Sequence, residues 1–226
     1  MKPNIKFILT DIEGTTTSVS FVYDVLFPYF REHVADLLSI SSGEIAHALQ
    51  DARLLHEQET GISGLDDQAL LDLILSWSLD DRKLTPLKTL QGILWKNAYE
   101  SGAIKAHVYD DVPLALSKWS TAGIQLAVFS SGSIAAQKLL FKYANQGDLS
   151  SFFSAYFDTT SGSKRDSETY SLITKKLGCQ PQELLFLSDI QAELEAASNA
   201  GCDTIQLVRP GNIATWHHAV NDFSQI

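Results

Sequence analysis

Short apolar runs alternating with helical repeats constrain this chain more than any other feature. Ile124–Phe129, Leu184–Leu187 and Thr204–Val208 are too short for helices and read as buried strands, with Tyr156 and Phe157 in a shorter piece ending at Asp158. Between them lie helical patterns: Asp111-Val-Pro113 to Gly123, Ser133 to Tyr143, Ser167 to Leu177 before Gly178, and Gln191 to Ala200 before Gly201. Strand–helix alternation implies parallel strands joined by helical crossovers. Ile5–Thr10, bounded by Asn4 and Asp11, is a further strand of this type.

The stretch after that first strand has a different rhythm. Val22, Val25, Leu26, Tyr29, Phe30, His33, Val34 and Leu37 recur at helical spacing, with Pro28 as a kink or restart point. Ser41 and Glu44 form a capping-box pattern that opens a helix through Leu55. Asp66 or Asp67 caps a helix carrying Leu70, Leu71, Ile74 and Trp77, and Thr85-Pro86 and Gly102 bracket another. The expected architecture is α/β: a Rossmann-like, doubly wound parallel sheet with a helical cap inserted after the first strand. Residues 1–16 and 106–226 would form the core and 17–105 the cap.

Such a sheet binds ligands beyond the carboxyl ends of its strands, so the residues there carry the chemistry. The first strand ends in Asp11-Ile-Glu13-Gly14-Thr15-Thr16. Two carboxylates brought together repel unless a cation sits between them, and Mg²⁺ is the natural one. One can then act as nucleophile and the other in proton transfer. Taken alone, an aspartate here merely caps a helix. The second strand leads to Ser130-Ser131-Gly132-Ser133, whose helix N-terminus suits a phosphate or is ordinary capping. Lys164 lies in a loop beside Arg165, and either cation could neutralise a phosphate. Asp189 follows the next strand, with Glu193 one helical turn on; Asp189 is placed to complete a metal site, to cap the Gln191–Ala200 helix, or to do both. The order nucleophile pair, hydroxyl, lysine, acid is what phosphoryl transfer requires.

That order resembles the haloacid dehalogenase superfamily of aspartate-nucleophile phosphatases. The segments ILTDIEGTT, FVYDVLFPYFREH, LQGILWKNAYESG, HVYDDVPLAL, SSGSIAAQKLLF, GDLSSFFSAYFDTTSGSKRDSETY, FLSDIQAELEAA and LVRPGN are similar to the acireductone-forming enolase-phosphatases of methionine salvage, from Ile8 to Asn212. The superfamily's usual second acid is aspartate, whereas this chain, like that family, has Glu13. The resemblance implies that Asp11 attacks phosphorus, that Asp11, Glu13 and Asp189 hold one Mg²⁺, and that Ser130, Ser131 and Lys164 bind phosphate. Glu13 would ligate through its side chain or its backbone carbonyl. The implied substrate is 2,3-diketo-5-methylthiopentyl-1-phosphate, enolised and then dephosphorylated to 1,2-dihydroxy-3-keto-5-methylthiopentene. The base for the carbon-bound proton is left open between Glu13 and a cap residue. A general small-molecule phosphatase of the same superfamily is the alternative.

The net charge of −10 without a basic cluster disfavours nucleic acid or an acidic membrane surface as partner. Only Cys179 and Cys202 are present, too few for a disulfide framework. MKPNIKFILTD reads as neither signal peptide nor membrane span, so a cytoplasmic protein is expected, as a monomer. His217 and His218 lack metal-ligand partners at useful spacing and read as exposed or packing residues. His33 and His47 read as partly buried packing residues of the cap, and His107 as a hinge or mouth position. Phe21 and Tyr23 read as core, although lining a pocket for a methylthio group would explain them equally well.

Overall fold

The computed structural model describes residues 2–226. The chain divides into two compact units, Met1–Val19 with Lys105–Ile226, and Ser20–Ile104.

The first unit is built on a six-stranded sheet of order β3-β2-β1-β4-β5-β6, with every neighbouring pair parallel. The strands are β1 (Phe7–Thr10), β2 (Gln125–Phe129), β3 (Phe153–Phe157), β4 (Leu184–Ser188), β5 (Asp203–Leu207) and β6 (Ala219–Val220). β1 and β4 are buried along their whole length, which is why they read as unbroken apolar runs and not as alternating ones. A core of Leu9, Ala127, Phe129, Tyr170, Ile173, Phe186 and Leu194 packs on this sheet. The two-residue β6 carries no strand pattern of its own. It exists because Gln206 N–H donates to His218 O, and Val208 N–H to Val220 O, across the sheet edge.

The second unit is helical. Its first helix begins as one α-turn, α1 (Val19–Phe21), continues as a π-helical turn (Val22–Leu26) and resumes as α2 (Phe27–His33), followed by a 3₁₀ turn (Val34–Leu38). Pro28 has no N–H to donate, and the extra residue of a π-turn is one way a helix absorbs such a gap. The widened turn rotates the helical face. Tyr23 and Val25 therefore end up 53% and 38% exposed, not in the core as the spacing suggested, while Phe21 is buried.

α3 (Gly43–Thr60) is capped by Ser42, whose Oγ accepts from Ile45 N–H, so Ser41 is not the cap. That helix runs on to Thr60, five residues beyond Leu55, and is closed by Gly61 in the left-handed conformation. α4 (Asp67–Leu79), capped by Asp66, and α5 (Thr85–Ser101) complete the unit. Phe30, Leu37, Ile45, Ala52, Leu70, Ile74 and Leu90 form its apolar centre. His33 is half-buried against Tyr29, whereas His47 is exposed on the outer face of α3, beside Asp51.

The sheet's remaining helices are α6 (Asp111–Thr121), α7 (Ile134–Lys142), α8 (Ser167–Leu177) and α9 (Gln191–Asn199). Among the described residues, no helix is long and apolar enough to cross a membrane.

Candidate active site

The strand order reverses direction at β1, which lies between β2 and β4. In doubly wound sheets the crevice at that reversal, outside the carboxyl ends, is where ligands bind. Asp11, Ser130, the 158–164 loop and Asp189 follow β1, β2, β3 and β4 respectively. The ladder carries on into these residues: Asp11 N–H donates to Leu187 O at 2.9 Å and Ser130 N–H to Phe157 O at 3.2 Å.

The Asp11–Thr17 loop closes on itself. Ile12 O accepts from the N–H groups of Thr15, Thr16 and Thr17, and Gly14 N–H donates to Thr17 O. Gly14 sits at φ +74°, and a Cβ there would lie 2.3 Å from Asp189 Oδ2. Glycine is thus required both by the turn and by the close approach of the Asp189 carboxylate.

Charge is concentrated around one lysine. Lys164 Nζ lies 2.6 Å from Asp11 Oδ1 and 2.7 Å from Glu193 Oε2, and all three side chains are nearly inaccessible to solvent. Burial opposes the ammonium's charge, yet Asp11 and Glu193 beside it carry its pKa above the usual lysine value. The same crowding acts on the acids. Burial first, then the Asp11 charge, pushes Glu193 and Asp189 each up to about 7. Removing one member of such a buried set leaves an uncompensated charge, at a cost of about 3–5 kcal/mol. Tyr170 OH anchors the loop by donating to Lys164 O at 2.8 Å. Arg165 is exposed, so Lys164 is the cation that reaches Asp11.

Glu13 turns the other way. Its Oε2 accepts from Ser130 Oγ at 3.1 Å, and burial followed by the Asp11 charge raises its pKa. Ser130 Oγ in turn accepts from Gly132 N–H. The Ser130–Ser133 loop is held from below by buried Gln137, whose Nε2 donates to Gly132 O and Phe157 O, each at 2.8 Å. Ser133 Oγ caps α7 by accepting from Ala136 N–H. Ser131 is exposed at the loop's surface.

The donor set suits a hard divalent cation. Asp189 Oδ1 is buried with no hydrogen-bond partner, a costly state that an oxygen-binding cation would relieve. Asp189 does not cap α9, since Ile190 holds that position and its N–H is met by Ser188 Oγ. Among the described residues, no three His, Cys, Asp or Glu side chains are disposed to hold a metal alone. A cation beside Asp11 and Asp189 would therefore take its remaining oxygens from backbone, water or a phosphate. His217 and His218, both exposed, line a separate cavity of about 230 Å³ with Lys2 and Asp203.

Two buried charges here had no role assigned from the sequence alone. Glu193 had a signal, standing four residues after Asp189 on the same helical face. It binds Lys164 and also accepts from Ser188 Oγ at 2.9 Å. Arg209 had none. Its guanidinium donates twice to Thr15 O and forms a two-pronged ion pair with Asp111.

Comparison with known proteins returns a consistent result. The family model of haloacid dehalogenase-like hydrolases matches residues 5–201. A protein of a Picosynechococcus species, named Enolase-phosphatase E1, is 48% identical over 98% of both chains. One of the same name from Pseudomonas fluorescens is 47% identical over 99% of this chain and 97% of its own. The crystal structure of the UTR4 protein of Saccharomyces cerevisiae has a TM-score of 0.81 at 34% identity, over 98% of this chain and all of that one.

Proposed function

This chain belongs to the haloacid dehalogenase-like hydrolases and, within them, to the enolase-phosphatases; from that membership we infer that it enolises and dephosphorylates 2,3-diketo-5-methylthiopentyl-1-phosphate. The product is the acireductone 1,2-dihydroxy-3-keto-5-methylthiopentene of methionine salvage. The observation that carries the reading is the buried contact of Lys164 with Asp11 at 2.6 Å, because it pairs a nucleophile with the cation that would shield it from an anionic substrate.

Asp11 is the nucleophile. Ile12 N–H and Lys164 Nζ both approach its Oδ1, which holds the carboxylate in place and leaves Oδ2 to attack phosphorus. The new Oδ2–P bond replaces the P–O bond to the substrate's carbon skeleton. The departing oxygen takes a proton from Glu13, whose buried carboxyl, beside the Asp11 charge, holds its proton more tightly than an ordinary glutamate does. Water then attacks the phosphoryl-aspartate, with Glu13 taking the proton back and Asp11 leaving as carboxylate. Ser130, Ser131 and Lys164 bind the phosphoryl oxygens, and Glu193 fixes Lys164 from behind. Asp11, Asp189 and the Glu13 carbonyl would hold one Mg²⁺ per chain, which supplies charge neutralisation for both the enolate and the phosphoryl group. We place the enzyme in the cytoplasm as a monomer that acts on a small phosphorylated molecule, not on nucleic acid or membrane.

Purified protein incubated with Mg²⁺ and the diketo phosphate should release phosphate and develop the absorbance of an enol. Turnover of sugar phosphates with none of the diketo phosphate would instead mark a general phosphatase of the superfamily.

A further inference from the structure

We propose that Arg209, remote from the reacting atoms in the sequence, is a positioning residue that sets the catalytic loop through the backbone carbonyl of Thr15. This rests on the phosphatase reading above and adds to it a residue outside the strand-end motifs.

Arg209 is 4% exposed. Its Nε and Nη2 donate to Thr15 O at 2.9 and 2.7 Å, and its Nη1 meets both oxygens of Asp111 at 2.9 and 3.0 Å. The guanidinium carbon lies over the Tyr109 ring, 4.1 Å from its centre, and 5.2 Å from the centre of the Phe223 ring. The partners of this one group thus come from three segments of the chain: Thr15, Tyr109 with Asp111, and Phe223. Asp111 is itself held, because its Oδ2 accepts from Phe223 N–H at 2.7 Å.

The consequence lies in Thr15. Its carbonyl belongs to the closed turn that carries Glu13, and Gly14 in that turn abuts Asp189. Thr16 O accepts from Tyr109 N–H, and Thr17 Oγ donates to His107 O, so the loop's far side is tied to the same segment that stacks on Arg209. Arg209 is the cation that joins these ties. A planar fork with several fixed donors can hold a carbonyl and a carboxylate together. A lysine, with one ammonium, cannot do so in that geometry.

The test compares wild type with Arg209→Lys, Arg209→Ala and Asp111→Asn in the phosphate-release assay. Amide hydrogen exchange of residues 11–17 is measured in the metal-free proteins. In both Arg209 variants kcat should fall roughly 100-fold, the scale of a 1 Å misplacement, with KM within about twofold. Exchange across 11–17 should accelerate while that of β4 stays as in wild type. Asp111→Asn, which keeps the bonds to Thr15, should lose less kcat than Arg209→Lys, and millimolar guanidinium should restore part of the kcat of Arg209→Ala. Wild-type kcat in Arg209→Lys would overturn the proposal. So would exchange that rises evenly through the chain in step with lost activity, because the role would then be stability alone. If Arg209→Ala does not fold, Arg209→Lys and Asp111→Asn still decide, and equal losses in those two would also overturn it. Should wild type itself release no phosphate, the functional reading fails, and exchange at 11–17 still tests the clamp.

Discussion

The two units bury different things. Among the described residues of the helical unit, Ser78, Gln91 and the Tyr99 hydroxyl are buried, none of them charged, within an apolar interior. In the sheet unit Asp11, Asp158, Lys164, Glu193 and Arg209 are all buried, along with Ser130, Gln137 and Ser188. Stability alone does not select for buried charge, since apolar replacements of similar size are often as stable. The contrast therefore separates a region shaped by packing from one shaped by chemistry. Carboxyls raised by burial follow the same line: Asp189 and Glu193, both pushed up to about 7, lie in the sheet unit.

The comparison can be broken most sharply at Asp11. Asp11→Asn should lower phosphate release by on the order of 10⁴-fold or more, as nucleophile removal does elsewhere. It should keep the fold, because Glu193 still pairs with Lys164 and the charge that raises Asp189 and Glu193 is gone. Kinetics alongside thermal melting checks both halves.

The opposite pattern is expected in the helical unit. Leu90 is fully buried among apolar neighbours, so Leu90→Ala should cost about 2–5 kcal/mol in denaturant unfolding. The pH profile of kcat per folded molecule should not move, and a shifted profile would blur the division between the units.

A subtler difference appears in the pH dependence of metal binding. The ordinary values are 3.8 for Asp189 and 4.5 for Glu193, against about 7 for both in the fold. Raised acids favour the folded state at low pH, and that contribution declines as pH rises from about 4 through about 7. A divalent cation prefers the ionised carboxylates and offsets the decline. The rise in Tm on adding Mg²⁺ should therefore be small at pH 5 and larger at pH 8, as differential scanning fluorimetry can read. A rise of equal size at both pH values would mean that Asp189 is not at the cation site. Smallest of all, Ser42→Ala removes the α3 cap and should cost about 1 kcal/mol in the same unfolding assay, with kcat unchanged.

The strand ends were legible because a buried parallel strand announces itself as an apolar run and the residue after it faces the ligand crevice. Asp11, Ser130 and Asp189 stood out there as an ordered set, since each by itself reads equally as a helix cap. What stayed hidden depended on distant partners or on a shifted helical phase. Arg209 contacts Thr15 across 194 positions and Asp111 across 98, and nothing local to LVRPGN marks either pairing. Glu193 shows its helical face in sequence, but that its carboxylate reaches Lys164 is decided by how α9 packs. The π-turn before Pro28 moved Tyr23 and Val25 outward, since a strict 3.6-residue period cannot anticipate one inserted residue. Two-residue β6 lies below the length at which alternation carries information.

The central claim is that the carboxylate gripped by Lys164 becomes covalently bound to phosphorus. Acid quenching during turnover of the diketo phosphate, followed by mass spectrometry of the peptide spanning residues 7–17, tests it directly. A phosphoryl group on Asp11 that disappears on further incubation is the expected result. Full turnover with that peptide unmodified at every quench time, and with Asp11→Asn still active, would contradict it.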